Sequence, residues 1–183
     1  MKKYEFTGET KEIRLLFRTA TLHRIRATVA FGIVEVGDLG GWIEKEENLS
    51  HEGKAWVCGD AKVWGNAKVW GNAEVCGDAK VCGDAKVWGN AEVWGNAEVF
   101  SASHVLVIGA IGSRNDFTTF YRDKDNEITV KCGCFLGKID RFLEKVTQTH
   151  GDSKYALVYR AAVEVAKLQI DLSGEAPKDA DEE

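Results

Sequence analysis

The sequence predicts a mainly β fold whose centre is a parallel β-helix, with N-terminal strands before it and a β-hairpin and two α-helices after it. Three observations support this prediction. Val recurs every six residues from Val57 to Val105, Ala precedes it by two residues from Ala55 to Ala97, and Gly follows it by two from Gly59 to Gly95. Asn or Asp follows each of these glycines, so the repeated unit reads mainly Ala-Lys/Glu-Val-Trp/Cys-Gly-Asn/Asp.

The repeat has a simple physical explanation. Successive side chains of a strand point to opposite faces, so Ala and Val, two positions apart, both point inward. The residue between them and the residue after Val point outward. Gly followed by Asn or Asp tolerates the left-handed backbone of a tight turn. Three such strand-and-corner units close a triangular coil, and coils stack at the ordinary strand spacing of about 4.8 Å.

The rest of the chain is less regular. Residues 22–29 and 33–36 are predicted as short strands, residues 37–43 as a first, irregular coil, and residues 44–53 as a loop that breaks the six-residue period. Ile111 and Phe117 continue the period, which predicts that the coils extend that far.

The C-terminal part predicts a hairpin and two helices. The hairpin pairs residues 118–122 with 127–135, and the helices cover 138–150 and a segment ending near Leu172. The chain then divides into N-terminal strands and a first coil (1–43), the β-helix (44–117), the hairpin and helices (118–172), and an acidic, disordered tail (173–183).

Composition excludes several functions. Lys and Arg total 24 against 29 for Asp and Glu, a formal charge of −5, which argues against general nucleic-acid binding. No apolar run reaches the roughly 18 residues that would span a bilayer, and the first residues lack the apolar stretch of a signal peptide. We therefore expect no membrane partner and a cytoplasmic location.

The five cysteines predict neither a disulfide framework nor a metal site. Their number is odd, which favours a reducing compartment. Cys58 and Cys76 stand one coil apart and could approach each other, but we expect small apolar side chains packed under a partner. Cys132 and Cys134 have a one-residue spacer, whereas metal sites more often use two and need further ligands, so no metal is expected.

Residues eighteen apart stack in columns, which gives the solenoid three unlike faces. The first face carries Trp56, Cys58, Glu74, Cys76, Glu92 and Trp94. The second face carries Lys62, Trp64, Lys80, Cys82, Glu98 and Phe100. The third face carries Lys68, Trp70, Lys86, Trp88, His104 and Leu106. The first face is thus acidic, and the third is basic and aromatic.

The outward tryptophans predict an interface, because a large exposed aromatic patch usually marks a contact surface. We expect a homotrimer in which the acidic first face of one subunit meets the basic third face of the next. The interface residues would be Lys68, Trp70, Lys86, Trp88, Glu74, Glu92 and Trp94. The alternative is that the N-terminal strands and the helices fold back over the aromatic surface within one chain.

A candidate ligand site lies where the repeat decays. Glycines there let backbone amides approach a ligand, arginines can hold a carboxylate or phosphate, and hydroxyls and an aromatic ring add contacts. The candidates are Ser113, Arg114, Asn115, Asp116, Thr118, Thr119, Tyr121, Arg122 and Lys131. The alternative is an ordinary end-cap in which Arg114 pairs with Asp116.

Nearly the whole chain resembles a group of hexapeptide-repeat proteins common in phages and prophages, often labelled transferases or polymer-forming proteins. The resemblance rests on Gly-Asp-Leu-Gly-Gly-Trp-Ile at 37–43, the Gly-Asn-Ala-x-Val repeats, Ile-Gly-Ser-Arg-Asn-Asp at 111–116 and Cys-Gly-Cys-Phe at 132–135. It implies a left-handed parallel β-helix, a trimer and a phage origin. It carries over no catalytic residue.

Three functions remain open at this stage. The favoured one is a non-catalytic phage protein that, in the cytoplasm of an infected or lysogenic bacterium, sequesters a small anionic, nucleotide-like ligand such as a host immune signal, without a cofactor. The second is a CoA-dependent acyltransferase, for which His104 is the best candidate for a general base. The third is a structural or protein-interaction module.

Overall fold

The computed structural model describes residues 1–175 and is mainly β. A solenoid of about three turns forms its centre, which confirms the predicted fold class.

The N-terminal strands are β1 (Tyr4–Leu15), β2 (Arg18–Ala27) and β3 (Leu39–Ile43). The solenoid strands are β4 (Trp56–Val57), β5 (Lys62–Val63), β6 (Lys68–Val69), β7 (Glu74–Val75), β8 (Lys80–Val81), β9 (Lys86–Val87), β10 (Glu92–Val93) and β11 (Glu98–Val99). The C-terminal elements are β12 (Val105–Ile111), β13 (Asp116–Arg122), β14 (Ile128–Cys132), β15 (Phe135–Lys138), α1 (Ile139–His150) and α2 (Lys154–Gln169).

The solenoid core is built from the repeated Ala and Val. Each short strand pairs in parallel with the strand one coil later, as in the register Val57, Val75 and Val93. Every repeat Ala from Ala55 to Ala97 is fully buried, and every repeat Val from Val57 to Val99 is at most 1% exposed. Burial of each Val side chain contributes about 1.5–3 kcal/mol, so a continuous apolar column holds the coils together.

Glycine is required at the corners because the backbone turns there with positive φ and the coils stack closely. Gly77, for example, has φ of +77°, and a Cβ atom added to it would lie 3.0 Å from the backbone nitrogen of Gly95. Any larger residue would meet both a backbone penalty and a steric one. The corner glycines predicted from the sequence therefore have the conformation that the repeat requires.

The N-terminal hairpin covers the second face of the solenoid. Strand β2 pairs antiparallel with β3, and β3 pairs in parallel with β5, so the hairpin continues the second-face sheet. The pairing of β1 with β2 shifts register between Phe6 and Thr10, and the hairpin packs over the outer side of the sheet. A second apolar cluster forms between the two layers. Its buried members are Ile13, Ala20, Leu22, Trp42, Trp64 and Cys82.

This cover corrects the expectation that most tryptophans form an exposed patch. Trp42, Trp56 and Trp64 are only 2–6% exposed. The hairpin shields Trp42 and Trp64, and Tyr4 and Phe31 pack edge-on against Trp56. The structure therefore agrees with the alternative for these three side chains, because other residues of the same chain cover them.

The coils end earlier than the period suggests. Strand β12 does not continue the solenoid to Phe117 but pairs antiparallel with β13. The reason is the missing Gly-Asn corner: Ser101 and Ala102 stand in its place, and a 3-10 turn over Ala102–His104, in which the Ser101 side chain accepts from the Ser103 amide, redirects the chain.

The C-terminal module is a four-stranded antiparallel sheet covered by two helices. Its order is β12-β13-β14-β15, so the single second strand expected over 127–135 is two strands broken at Gly133, whose φ is +55°. The helices agree with the predicted ones apart from the end of α2, which stops at Gln169 rather than near Leu172. Most of the expected tail, residues 176–183, lies outside the described residues.

Cys58 and Cys76 form a disulfide, contrary to expectation. Both side chains point outward from the first face one coil apart, and their Cα atoms are 4.7 Å apart, within the range that a disulfide bridges. Vertical stacking of the coils therefore creates the pairing that a count of cysteines does not reveal. Disulfides are rare in reducing compartments, so this finding weighs against the argument for such a location.

We expect the substitution Cys58→Ser to lower the free energy of unfolding by about 3 kcal/mol, because a cross-link closing a loop of this length restricts the unfolded chain. Urea denaturation without reductant measures the change. Cys134→Ser is the matched control, since Cys134 is exposed and free. Titration of five reactive thiols in the denatured, unreduced wild type would show that the disulfide does not form.

Candidate interaction faces and ligand site

The third face is the part of the solenoid where aromatic side chains remain open. The rings of Trp70 and Trp88 stack with centroids 5.5 Å apart and planes 11° apart. Trp88 is 47% exposed, and the neighbouring Lys68 and Lys86 are exposed as well. These four residues line a shallow groove. The structure thus brings together the four third-face residues that the sequence nominated for an interface.

The first face is acidic and carries two stacked carboxylates. Glu74 and Glu92 stand in register on adjacent strands, and Lys131 from β14 forms an ion pair of 2.6 Å with Glu92. The Lys131 ammonium also lies 4.3 Å from the ring centre of Trp94. Lys131 therefore places a positive charge at one end of this acidic surface.

Glu74 lies half-buried on the first face, next to a second carboxylate. Its pKa is raised, first by partial burial and then by repulsion from Glu92, while Lys131 acts in the opposite direction. Burial and a like charge both disfavour the ionised form of Glu74. A further cation brought close to the carboxylate would therefore stabilise this ionised form.

Three of the nine ligand-site candidates help to cap the end of the solenoid. The Thr119 hydroxyl accepts from the Glu92 amide at 3.0 Å. The Tyr121 hydroxyl accepts from the Trp94 amide at 3.3 Å and donates to the Trp94 carbonyl at 2.9 Å. Both side chains are at most 1% exposed, and burial raises the pKa of Tyr121. Lys131, described above, is the third member of this cap and is 7% exposed.

Arg122 and Thr118 are also buried and engaged within the chain. The Arg122 guanidinium lies 4.5 Å from the centre of the Phe100 ring and donates to the carbonyl of Gly174 at 3.1 Å and to the side chain of Asn126. The Thr118 hydroxyl donates to the Cys132 sulfur at 3.3 Å. These five buried candidates therefore have contacts within the chain.

The remaining four candidates lie in or beside the exposed turn between β12 and β13. Asn115 has a positive φ of 48°, and the Asp116 carboxylate accepts from the next amide at 2.7 Å. Arg114 lies against Cys134, with Nη1 4.0 Å from the sulfur, rather than against Asp116. Ser113 Oγ lies 3.4 Å from His150 Nε2. The nine candidates thus divide into a buried cap and an exposed turn.

His104 is a packing residue in this structure. It is 1% exposed, its Nδ1 accepts from the Phe100 amide at 3.3 Å, and its ring meets the Phe100 ring edge-on. Burial, and then the nearby Arg122 charge, lower its pKa. A substrate in solution has no access to it unless the chain opens.

No family model matches this chain, and no curated protein matches its sequence. Among residues 1–175, no three His, Cys, Asp or Glu side chains converge as metal ligands. In the same part of the chain, none of the helices is long and apolar enough to cross a membrane.

Sequence reasoning missed one exposed feature of the N-terminal hairpin. Its two-residue turn consists of Leu16 and Phe17, which are 83% and 94% exposed. The sequence signal for this exposed turn is the apolar run Leu-Leu-Phe between Arg14 and Arg18. Without the hairpin pairing, this run is interpreted as part of a strand.

We expect Tyr121→Phe to lower the free energy of unfolding by about 1–3 kcal/mol, because the amide and carbonyl of Trp94 lose their buried partner. Thermal or urea unfolding measures the loss. Tyr155→Phe is the control, since Tyr155 is 36% exposed. Equal stability of the two variants would show that the Tyr121 hydroxyl contributes nothing to the cap.

Proposed function

We propose that this protein is a non-catalytic, self-assembling interaction module whose subunits join through the third face of one copy and the first face of the next. The observation that carries the proposal is the uneven cover of the solenoid. The chain's own hairpin covers the second face, while the third face keeps the Trp70–Trp88 stack and two lysines open.

Charge complementarity supports the pairing of these two faces. Lys68 and Lys86 would approach Glu74 and Glu92, and burial and the neighbouring Glu92 already raise the pKa of Glu74. The apolar tryptophan stack would lose its water at the same time, which supplies the larger part of the driving force.

A contact between two different faces is heterologous, so it must close into a ring or grow into a filament. We propose a closed ring, and the resemblance to hexapeptide-repeat proteins makes three the expected number of subunits. The phage origin implied by that resemblance belongs to the same proposal, and so does a place in an infected or lysogenic bacterium. The Cys58–Cys76 disulfide favours an oxidising compartment over the cytoplasm.

A second candidate function is the binding of a small anionic, nucleotide-like ligand at the exposed turn. The observation that favours it is the placement of Arg114, an exposed guanidinium that lies against the Cys134 sulfur rather than a carboxylate. Such a group can hold a phosphate. The acyltransferase alternative is weaker, because its candidate base, His104, is buried.

The assembly is tested by exchanging charges across the proposed contact. Lys86→Glu should shift the protein from trimer to monomer in sedimentation equilibrium, because it places an acid opposite Glu74. Adding Glu74→Lys to that variant should restore the trimer. Lys145→Glu, at an exposed position on α1, is the control and should leave the trimer intact.

Two results would overturn the proposed assembly. One is a wild-type protein that sediments as a monomer at every accessible concentration. The other is a Lys86→Glu variant that assembles as well as the wild type, which would show that the third face is not in the contact.

The second candidate is tested by isothermal titration with linear and cyclic nucleotides. We expect stoichiometric binding to the wild type and loss of binding in Arg114→Ala, because the phosphate loses its guanidinium partner. Arg141→Ala serves as the control, since Arg141 is also exposed but lies on α1. Absence of heat with the wild type would eliminate nucleotides as ligands.

A further inference from the structure

The turn of the N-terminal hairpin has the wrong chemistry for a solvent-exposed loop. Two-residue hairpin turns favour Gly, Asn and Asp, whose backbones suit the turn and whose polarity suits water. Here Leu16 and Phe17 occupy the turn and are almost fully exposed. Two large apolar side chains at a protruding tip indicate a surface that is covered by a partner.

The tip is anchored beside the third face. Arg18, which pairs with Leu15 across the hairpin, forms a two-pronged ion pair with Glu44. The Glu44 carboxylate also accepts from the Gly65 amide at 2.7 Å. Gly65 begins the corner between the second and third faces, and Lys68 of the third face follows three residues later. The hairpin thus ends at that corner, with Leu16 and Phe17 at its tip.

We propose that Leu16 and Phe17 form a clasp that packs on the neighbouring copy of this chain when that copy is docked on the third face. This inference rests on the proposed self-assembly. A subunit whose first face lies on Lys68 and Lys86 comes within reach of the tip at the adjoining corner. The tip then buries its apolar side chains on that subunit.

A second copy fits the tip better than a lipid surface does. Apolar loops that enter a bilayer are usually helped by free basic residues that bind anionic headgroups. Arg18 is instead held by Glu44, and the whole chain carries a formal charge of −5. The position beside the third face, in contrast, makes the tip continuous with the proposed subunit contact.

The test is the double substitution Leu16→Asn and Phe17→Gly in the full chain. Asn-Gly is the favoured sequence for a two-residue hairpin turn, so the hairpin should still form while the apolar tip is removed. We expect the trimer dissociation constant from sedimentation equilibrium to rise by at least about tenfold, because the subunit contact loses two buried apolar side chains. The melting temperature of the dissociated subunit should not fall.

Leu168→Gln is the matched control, since Leu168 is 89% exposed on α2 and should not affect assembly. A double variant that assembles like the wild type would overturn the clasp and leave the proposed assembly standing. A wild type that is monomeric would overturn both. Binding of the wild type, but not of the double variant, to vesicles of anionic phospholipid without any trimer would replace the clasp with a lipid contact.

Discussion

The structure depends on one constraint, the vertical register of stacked coils. Each strand pairs in parallel with the strand one coil later, so every eighteenth residue stands above its predecessor. This register places the Ala and Val side chains in one continuous core. It also aligns the outward residues into columns, which creates the Trp70–Trp88 stack, the Glu74–Glu92 pair and the Cys58–Cys76 disulfide from a single repeat.

A solenoid of this kind leaves three faces that the chain must cover or use. The hairpin covers the second face with Ile13 and Leu22, and the C-terminal sheet holds Lys131 at the acidic end of the first. The third face, which is basic and aromatic, has no such cover over Trp88, Lys68 and Lys86. Function in this molecule is therefore best sought in what the appended segments leave uncovered, rather than in the repeat itself.

The sequence predicts the solenoid well because its rules are local: a small residue inward, a glycine at each corner and a period of six. It predicts the covering segments poorly because their contacts are long-range. The residues around Trp64 in the sequence do not show that Leu22 will pack in the same apolar cluster. The residues around Glu92 do not show that its amide will donate a hydrogen bond to the Thr119 hydroxyl. Most of the candidate ligand residues lie close together in the sequence. Successive side chains of β13 point to opposite faces of its sheet, so these candidates lie in different surroundings.

A tyrosine hydroxyl helps to cap each end of the solenoid. At the N-terminal end the Tyr4 hydroxyl donates to the Leu49 carbonyl at 2.8 Å, and at the opposite end Tyr121 bonds to both backbone groups of Trp94. A bare end of stacked strands would offer unpaired amides and carbonyls to another chain, the starting point for fibril growth. These contacts reduce the number of free backbone groups at each end, so a solenoid with many short strands of near-identical sequence is less able to extend along its axis by adding strands of another chain.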